Sequence, residues 1–205
     1  MTIDVRRVAL ATARNREPIT KVLREHLPSE GLVLEVASGT GEHIVHFASA
    51  LSAEISFQPS DPDAGARASI DAWVASTGVR NVLPAIALDA LADAWPIQRA
   101  DAVICINMIH IAPWEATVGL VGGAARALPA GGLLYLYGPY RRDGRHTAPS
   151  NEAFDRGLRM QKPTWGVRDL EQVAALATEH SFAQPLIEEM PANNLSLIFR
   201  RVAPG

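Results

Sequence analysis

The period of the apolar positions changes along the chain, and the changes mark its elements. Over residues 15–27, Ile19, Val22, Leu23 and Leu27 fall on one face at a 3.6-residue period, which predicts a helix stopped by Pro28 and Gly31. The apolar run LVLEVA (32–37) reads as a strand; the glycine-rich SGTGEH follows and leads into IVHFASAL (44–51), a second helix. EISFQPSD (54–61) reads as a second strand, and residues 63–77, with Ile70, Trp73 and Val74 at helical spacing, as a helix ending at Gly78. The pattern then predicts a third strand over 82–89 (VLPAIALD), a fourth over 101–107 (DAVICIN), a helix over 114–128 and a fifth strand over 132–140. Residues 141–151 (RRDGRHTAPSN) carry no apolar period and read as a surface loop. Helical segments over 152–160 and 168–180 follow, and 186–201 reads as two strands around a Pro-Ala-Asn-Asn turn.

Strands alternating with helices imply an α/β fold with a parallel sheet and right-handed crossovers. The closing hairpin would add one antiparallel strand. A length of 205 residues suits a single domain over 1–205, and 48% apolar residues supply a sizeable core. The net charge of −3 gives no reason to expect a nucleic-acid partner. Cys105 as the one cysteine excludes an intrachain disulfide and any multi-cysteine zinc site, and fits a reduced cytoplasmic setting. No charge-free apolar stretch is long enough to span a bilayer, and MTIDVRR lacks a signal-peptide core, so a soluble protein with no membrane partner is expected.

The strongest local signal is EVASGTG (35–41), which follows a strand and opens a helix. Gly39 and Gly41 let the backbone approach a ligand closely, with Ala37 between the strand and the turn. The helix beyond offers free N–H groups and a partial positive charge. Asp61 closes the second strand, where a carboxylate can hold the two hydroxyls of a ribose. Asp89 closes the third, within reach of an adenine amino group. Each acid alone is as easily a turn or cap, but Glu35, Asp61 and Asp89 at successive strand ends would surround one crevice at the carboxyl edge of the sheet. Ile44 stands where a nicotinamide fingerprint has its third glycine, and no G-x-x-x-x-G-K-[ST] loop occurs.

Eight stretches carry a more specific likeness: RNREPI (14–19), EVASGTGEH (35–43), QPSDPD (58–63), CINMIHIAPW (105–114), YGPY (137–140), SNEAFD (150–155), WGVRDLE (165–171) and MPANN (190–194). Together, in order over residues 11–201, they resemble a poorly characterised methyltransferase-like family of small bacterial and animal proteins. The resemblance implies the class I methyltransferase fold, a Rossmann-like three-layer sandwich with a seven-stranded, mostly parallel sheet and one antiparallel strand. It also implies binding of S-adenosylmethionine, with S-adenosylhomocysteine as product. Glu35 looks like the acid of the E-x-x-x-G-x-G loop, which acts near the amino group of the methionine moiety. Ala112 stands where the family has Ser, and residues 157–163 depart from its pattern.

By analogy with that fold, the acceptor should sit at the end of the fourth strand. Asn107 there could bind acceptor or cofactor, or simply cap the turn. His110 has the near-neutral pKa of a general base, or is a packed histidine. Tyr140, ending the fifth strand, could orient or deprotonate an acceptor, or end a buried strand. His43 is expected beside the cofactor. His43 and His46, three residues apart with no nearby cysteine, make no metal site. Arg14 and Asn15 are expected in an N-terminal segment (1–30) folded over the cofactor, where Arg14 could meet a carboxylate of methionine or of substrate. Residues 138–165 are expected to form the substrate side, with Arg141, Arg142 and Arg145 compatible with an anionic acceptor. The expected function is therefore methyl transfer to a small molecule by a monomer or homodimer. The alternatives are a cofactor-binding scaffold without transfer and the same fold used for non-methylating chemistry.

Overall fold

The structure, a computed structural model, describes residues 4–203. In chain order the first half comprises α1 (Leu10–His26), β1 (Gly31–Val36), α2 (Glu42–Ala50), β2 (Ile55–Ser60), α3 (Ala64–Thr77) and β3 (Ala102–Ile106). The second half comprises α4 (Trp114–Ala127), β4 (Leu133–Gly138), β5 (Tyr140–Arg142), β6 (Arg145–His146), α5 (Pro149–Gln161), β7 (Arg168–Asp169), α6 (Leu170–Glu179), β8 (Leu186–Met190) and β9 (Asn194–Arg200). The main sheet has six strands in the order β2-β1-β3-β4-β9-β8, and a small sheet has the order β6-β5-β7. β2, β1, β3 and β4 are parallel, while β9 runs antiparallel to both of its neighbours.

The two-residue alternation of the strands explains the layers. Val33, Ile104, Leu133 and Tyr135 pack with Ile19, Leu23, Ile44, Phe47 and Ile70 of α1, α2 and α3. Their neighbours Leu34, Val103, Leu134 and Leu136 pack with Leu120, Val121, Val173 and Ala177 of α4 and α6 on the opposite face. Strands buried on both faces read as continuous apolar runs, as VICI and LLYLY do. Among the described residues no helix is long and apolar enough to cross a membrane.

Three expectations are corrected. The strand over 82–89 is not formed: the segment meets β2 only through two isolated parallel bridges, Phe57 to Val82 and Ser60 to Ile86. Pro84 interrupts it by removing a donor from the ladder. The seven-stranded sheet is thus six strands plus this bridged edge. Residues 141–151 are not a loop, because β5 and β6 form a hairpin there and α5 begins at Pro149. Tyr140 and Arg141 pair with Arg168 and Asp169 of β7, a partner invisible to local pattern. Finally, α1 begins at Leu10 rather than at residue 15, so Arg14 and Asn15 both lie within the helix.

Candidate functional site

β1 delivers the chain to the carboxyl edge of the sheet, where Ala37, Gly39 and Gly41 take φ of 59°, 58° and 91°. These left-handed residues turn the backbone directly into the first turn of α2, for which Gly41 is the N-cap. Asp61, at the end of β2, fixes the turn: its carboxylate accepts from the Gly39 N–H at 3.0 Å and from the Asp63 N–H at 2.9 Å. A Cβ placed at Gly39 would meet no heavy atom within 4 Å, so the loop presents its backbone to open space.

Glu35 lies under this turn. It is 1% exposed, and its Oε2 has no hydrogen-bond partner. Burial pushes its carboxyl up to about 8; a hydrogen bond from Ser38 works against the rise and the negative charge of Asp61 adds to it. A buried acid with one oxygen left unpaired, beneath a backbone turn that faces open space, fits a nucleoside cofactor with an ammonium group. S-adenosylmethionine is one. Asp89 is placed differently from its expectation. It is exposed and ends no strand; its carboxylate accepts from the Leu91 N–H at 2.9 Å and closes a turn.

A second set of groups joins α1 and α2 to the ends of β3 and β4. His43 Nε2 lies 2.8 Å from the Asn15 amide oxygen, and Asn15 and Tyr137 line one cavity. Burial, together with the charges of His46 and Arg16, lowers the His43 pKa to about 4, so the ring is neutral. Its Nε2 therefore carries the proton donated to Asn15. Asn107 holds φ of 62°, and its N–H donates to the Tyr137 carbonyl at 2.8 Å. Asn tolerates this left-handed geometry better than most residues.

Arg14, Asn15, Asn107 and Tyr137 share a cavity of about 610 Å³ with Ser150, Asn151 and Phe154 of α5 and with the turn at 191–194. This volume suits a small organic ligand. The wall is held across long sequence separations. The Asn151 amide donates to Thr147 Oγ1 at 3.0 Å and to the Asn193 carbonyl at 2.9 Å. Asp155, 7% exposed, accepts from the Val167 N–H at 2.7 Å and from Arg159 Nε at 3.0 Å. Asp155→Ala strands that buried N–H, so we expect a loss of about 1–3 kcal/mol in urea unfolding. An unchanged midpoint would show that Asp155 does not brace this wall.

His110 and Tyr140 are not brought to the cavity. Each is fully buried, their rings meet edge to face at 5.1 Å, and both His110 ring nitrogens and the Tyr140 hydroxyl lack partners. Burial, with the charge of Arg168 beside it, lowers the His110 pKa to about 3. The ring packs so closely over Gly138 that no side chain fits there.

Tyr137, Asn151, Phe154 and Asn193 were not singled out from sequence as site residues. The SNEAFD and PANN stretches were visible, but nothing local indicates that they meet.

The strand order, the helices on both faces and the glycine turn between β1 and α2 define a class I methyltransferase fold. A family model matches residues 6–201, and the chain belongs to that family, described as "Protein of unknown function (DUF938)". Among solved structures it is similar to an O-methyltransferase family protein from Burkholderia thailandensis, with 18% identity and a TM-score of 0.80 over 95% of this chain and 58% of that one. It is also similar to human N-acetylserotonin methyltransferase in complex with S-adenosylmethionine, with 14% identity and a TM-score of 0.73 over 94% of this chain and 53% of that one. The chain thus spans little more than half the length of these two proteins. The YcgJ protein of Bacillus subtilis is matched over its whole length, with 94% of this chain covered, 14% identity and a TM-score of 0.68. At such identities the likeness is one of fold.

Proposed function

We propose that this protein is an S-adenosylmethionine-dependent methyltransferase acting on a small molecule. The observation that carries the reading is the buried Glu35 carboxyl, with its Oε2 unpaired, beneath the open glycine turn. Glu35, Gly39, Gly41 and Asp61, with the backbone around Ala37, hold the cofactor. Asn15, His43 and Asn107 link that site to the neighbouring cavity. When bound, S-adenosylmethionine supplies a methyl group on a sulfonium, which needs little activation.

What the chain contributes is mainly placement, because alignment of two reactants can supply much of such a rate enhancement. Asn107 and Tyr137 position an acceptor at the ends of β3 and β4. α5 and the 191–194 turn limit the access of water. His110 and Tyr140 support this wall from beneath rather than taking a proton, since no lone pair of theirs reaches the cavity in this arrangement.

Isothermal titration of the purified chain with S-adenosylhomocysteine tests the reading. One-to-one binding tighter than about 1 mM, the upper end of ordinary enzyme affinities, is expected. No heat with either S-adenosylhomocysteine or S-adenosylmethionine at that concentration overturns it.

A further inference from the structure

The cavity beside α5 has a chemical bias, and we propose that it binds an acceptor carrying a carboxylate on an apolar body, with Arg14 as the charged anchor and Tyr137 as a hydroxyl donor. The inference rests on the methyltransferase reading and names its substrate class.

Charge gives the first argument. Arg14 lines the cavity, is exposed, and makes no hydrogen bond or ion pair among the described residues. No Asp, Glu or His shares the lining with it. An amine or other cation would meet a positive charge there without compensation, while an anion would gain a charge-assisted hydrogen bond.

Hydrogen-bond polarity gives the second. His43 donates to the Asn15 oxygen, so the Asn15 amide N–H groups are left free to donate. The Tyr137 hydroxyl lines the cavity and makes no hydrogen bond among the described residues, so its proton is free for a ligand. Burial raises the Tyr137 pKa, so that proton stays in place. Ser150 repeats the arrangement: its hydroxyl oxygen accepts from the Asn193 amide at 3.3 Å, leaving its hydrogen free. The cavity thus presents a guanidinium and two hydroxyl donors. On the acceptor side are the amide oxygens of Asn151, Asn193 and Asn194, whose amide groups already donate, and the unpaired Asn107 amide serves as either donor or acceptor.

The third argument concerns proton removal. With no carboxylate or imidazole in the lining, the cavity holds no general base, which suits a ligand already ionised at neutral pH. Phe154, Pro139 and Pro191 supply apolar surface for the rest of the molecule. None of Glu35, Gly39, Gly41 and Asp61 lines this space, so its carboxylate is assigned to the acceptor rather than to the methionine end of the cofactor.

The test is calorimetric, on the full chain saturated with S-adenosylhomocysteine, with benzoate, 4-hydroxybenzoate and hexanoate as acids and with benzamide and benzylamine as comparators. At least one acid should bind, at least tenfold more tightly than the amide, and the amine should not. Arg14→Gln should weaken the acid at least tenfold, Arg14→Lys should recover part of the loss, and Tyr137→Phe should weaken it about three- to tenfold, as expected for one hydrogen bond. S-adenosylhomocysteine affinity should change less than threefold in Arg14→Gln, which also reports an intact fold.

The proposal is overturned if none of the acids binds at millimolar concentration, if benzylamine binds as well as they do, or if Arg14→Gln leaves acid affinity unchanged. It is equally overturned if that substitution lowers S-adenosylhomocysteine affinity instead, for Arg14 would then serve the cofactor. If the parent chain binds no S-adenosylhomocysteine, the methyltransferase reading fails; the acids are then titrated against the free chain, and the same criteria decide the carboxylate site on its own.

Discussion

Replacing Gly41 by alanine should destabilise the chain by about 2–5 kcal/mol, a large part of the stability of an ordinary domain. Two effects add. The residue sits at φ of 91°, where an L side chain is strained, and its new Cβ would lie 2.7 Å from the Ile70 Cα of α3. Backbone cannot move aside as the end of a flexible side chain can, so α2 and α3 must separate. Gly39→Ala is the informative companion. It carries the same kind of backbone strain, about 1–2 kcal/mol, but its Cβ meets nothing. That variant should fold and yet lose at least tenfold in S-adenosylhomocysteine affinity, because its methyl group enters the space the turn leaves for a ligand. Urea unfolding separates the pair. Equal midpoints for both variants would refute the packing argument at Gly41.

Glu35→Gln should move stability and binding in opposite directions. With the carboxyl raised from an ordinary 4.5 to about 8, the folded chain retains a proton that the unfolded chain releases between those values. The contribution of Glu35 is therefore fully present below about pH 4.5 and is lost as pH rises toward 8, by up to tenfold in the folding constant per pH unit. Glutamine stays neutral throughout. At pH 8, without cofactor, the variant should exceed the parent in stability by on the order of 1–3 kcal/mol, after allowing for a buried amide that is itself imperfectly paired. At pH 4.5 the advantage should vanish. Cofactor binding should behave the other way, since an ammonium group is held by the ionised acid. S-adenosylhomocysteine affinity of the parent should rise from pH 6.5 to 8.5, and Glu35→Gln should lose at least tenfold at pH 8. Identical pH profiles for parent and variant, in stability and in binding, would remove Glu35 from the site.

Much of the fold was legible along the chain. β1, β3 and β4 are buried on both faces and so appear as short apolar runs, and the first four helices carry one apolar stripe each. The start of α1 was not legible. Its first turn has no side-chain cap and Leu10 is 82% exposed, so no apolar period reaches that far. The small sheet was hidden for another reason: Arg141 finds its partner in Asp169, at 2.7 Å, and that pairing leaves no local periodicity.

The candidate site divides in the same way. Glu35, Gly39, Gly41 and Asp61 could be read as a cofactor cradle because one strand, one turn and the next strand end carry them, and local geometry dictates their meeting. Asp89 ends no strand, because Pro84 interrupts the one that was to place it.

By itself, then, the sequence determined the alternating elements, the glycine turn and the acids beside it, all of which depend on interactions within a few residues or between adjacent parallel strands. Tertiary structure alone decided that Asn15, Tyr137, Asn151 and Asn193 border one cavity and that His110 and Tyr140 are sealed beneath it. Those outcomes depend on how α1, α5 and the 191–194 turn pack over the strand ends, and packing between distant segments leaves no period in the chain.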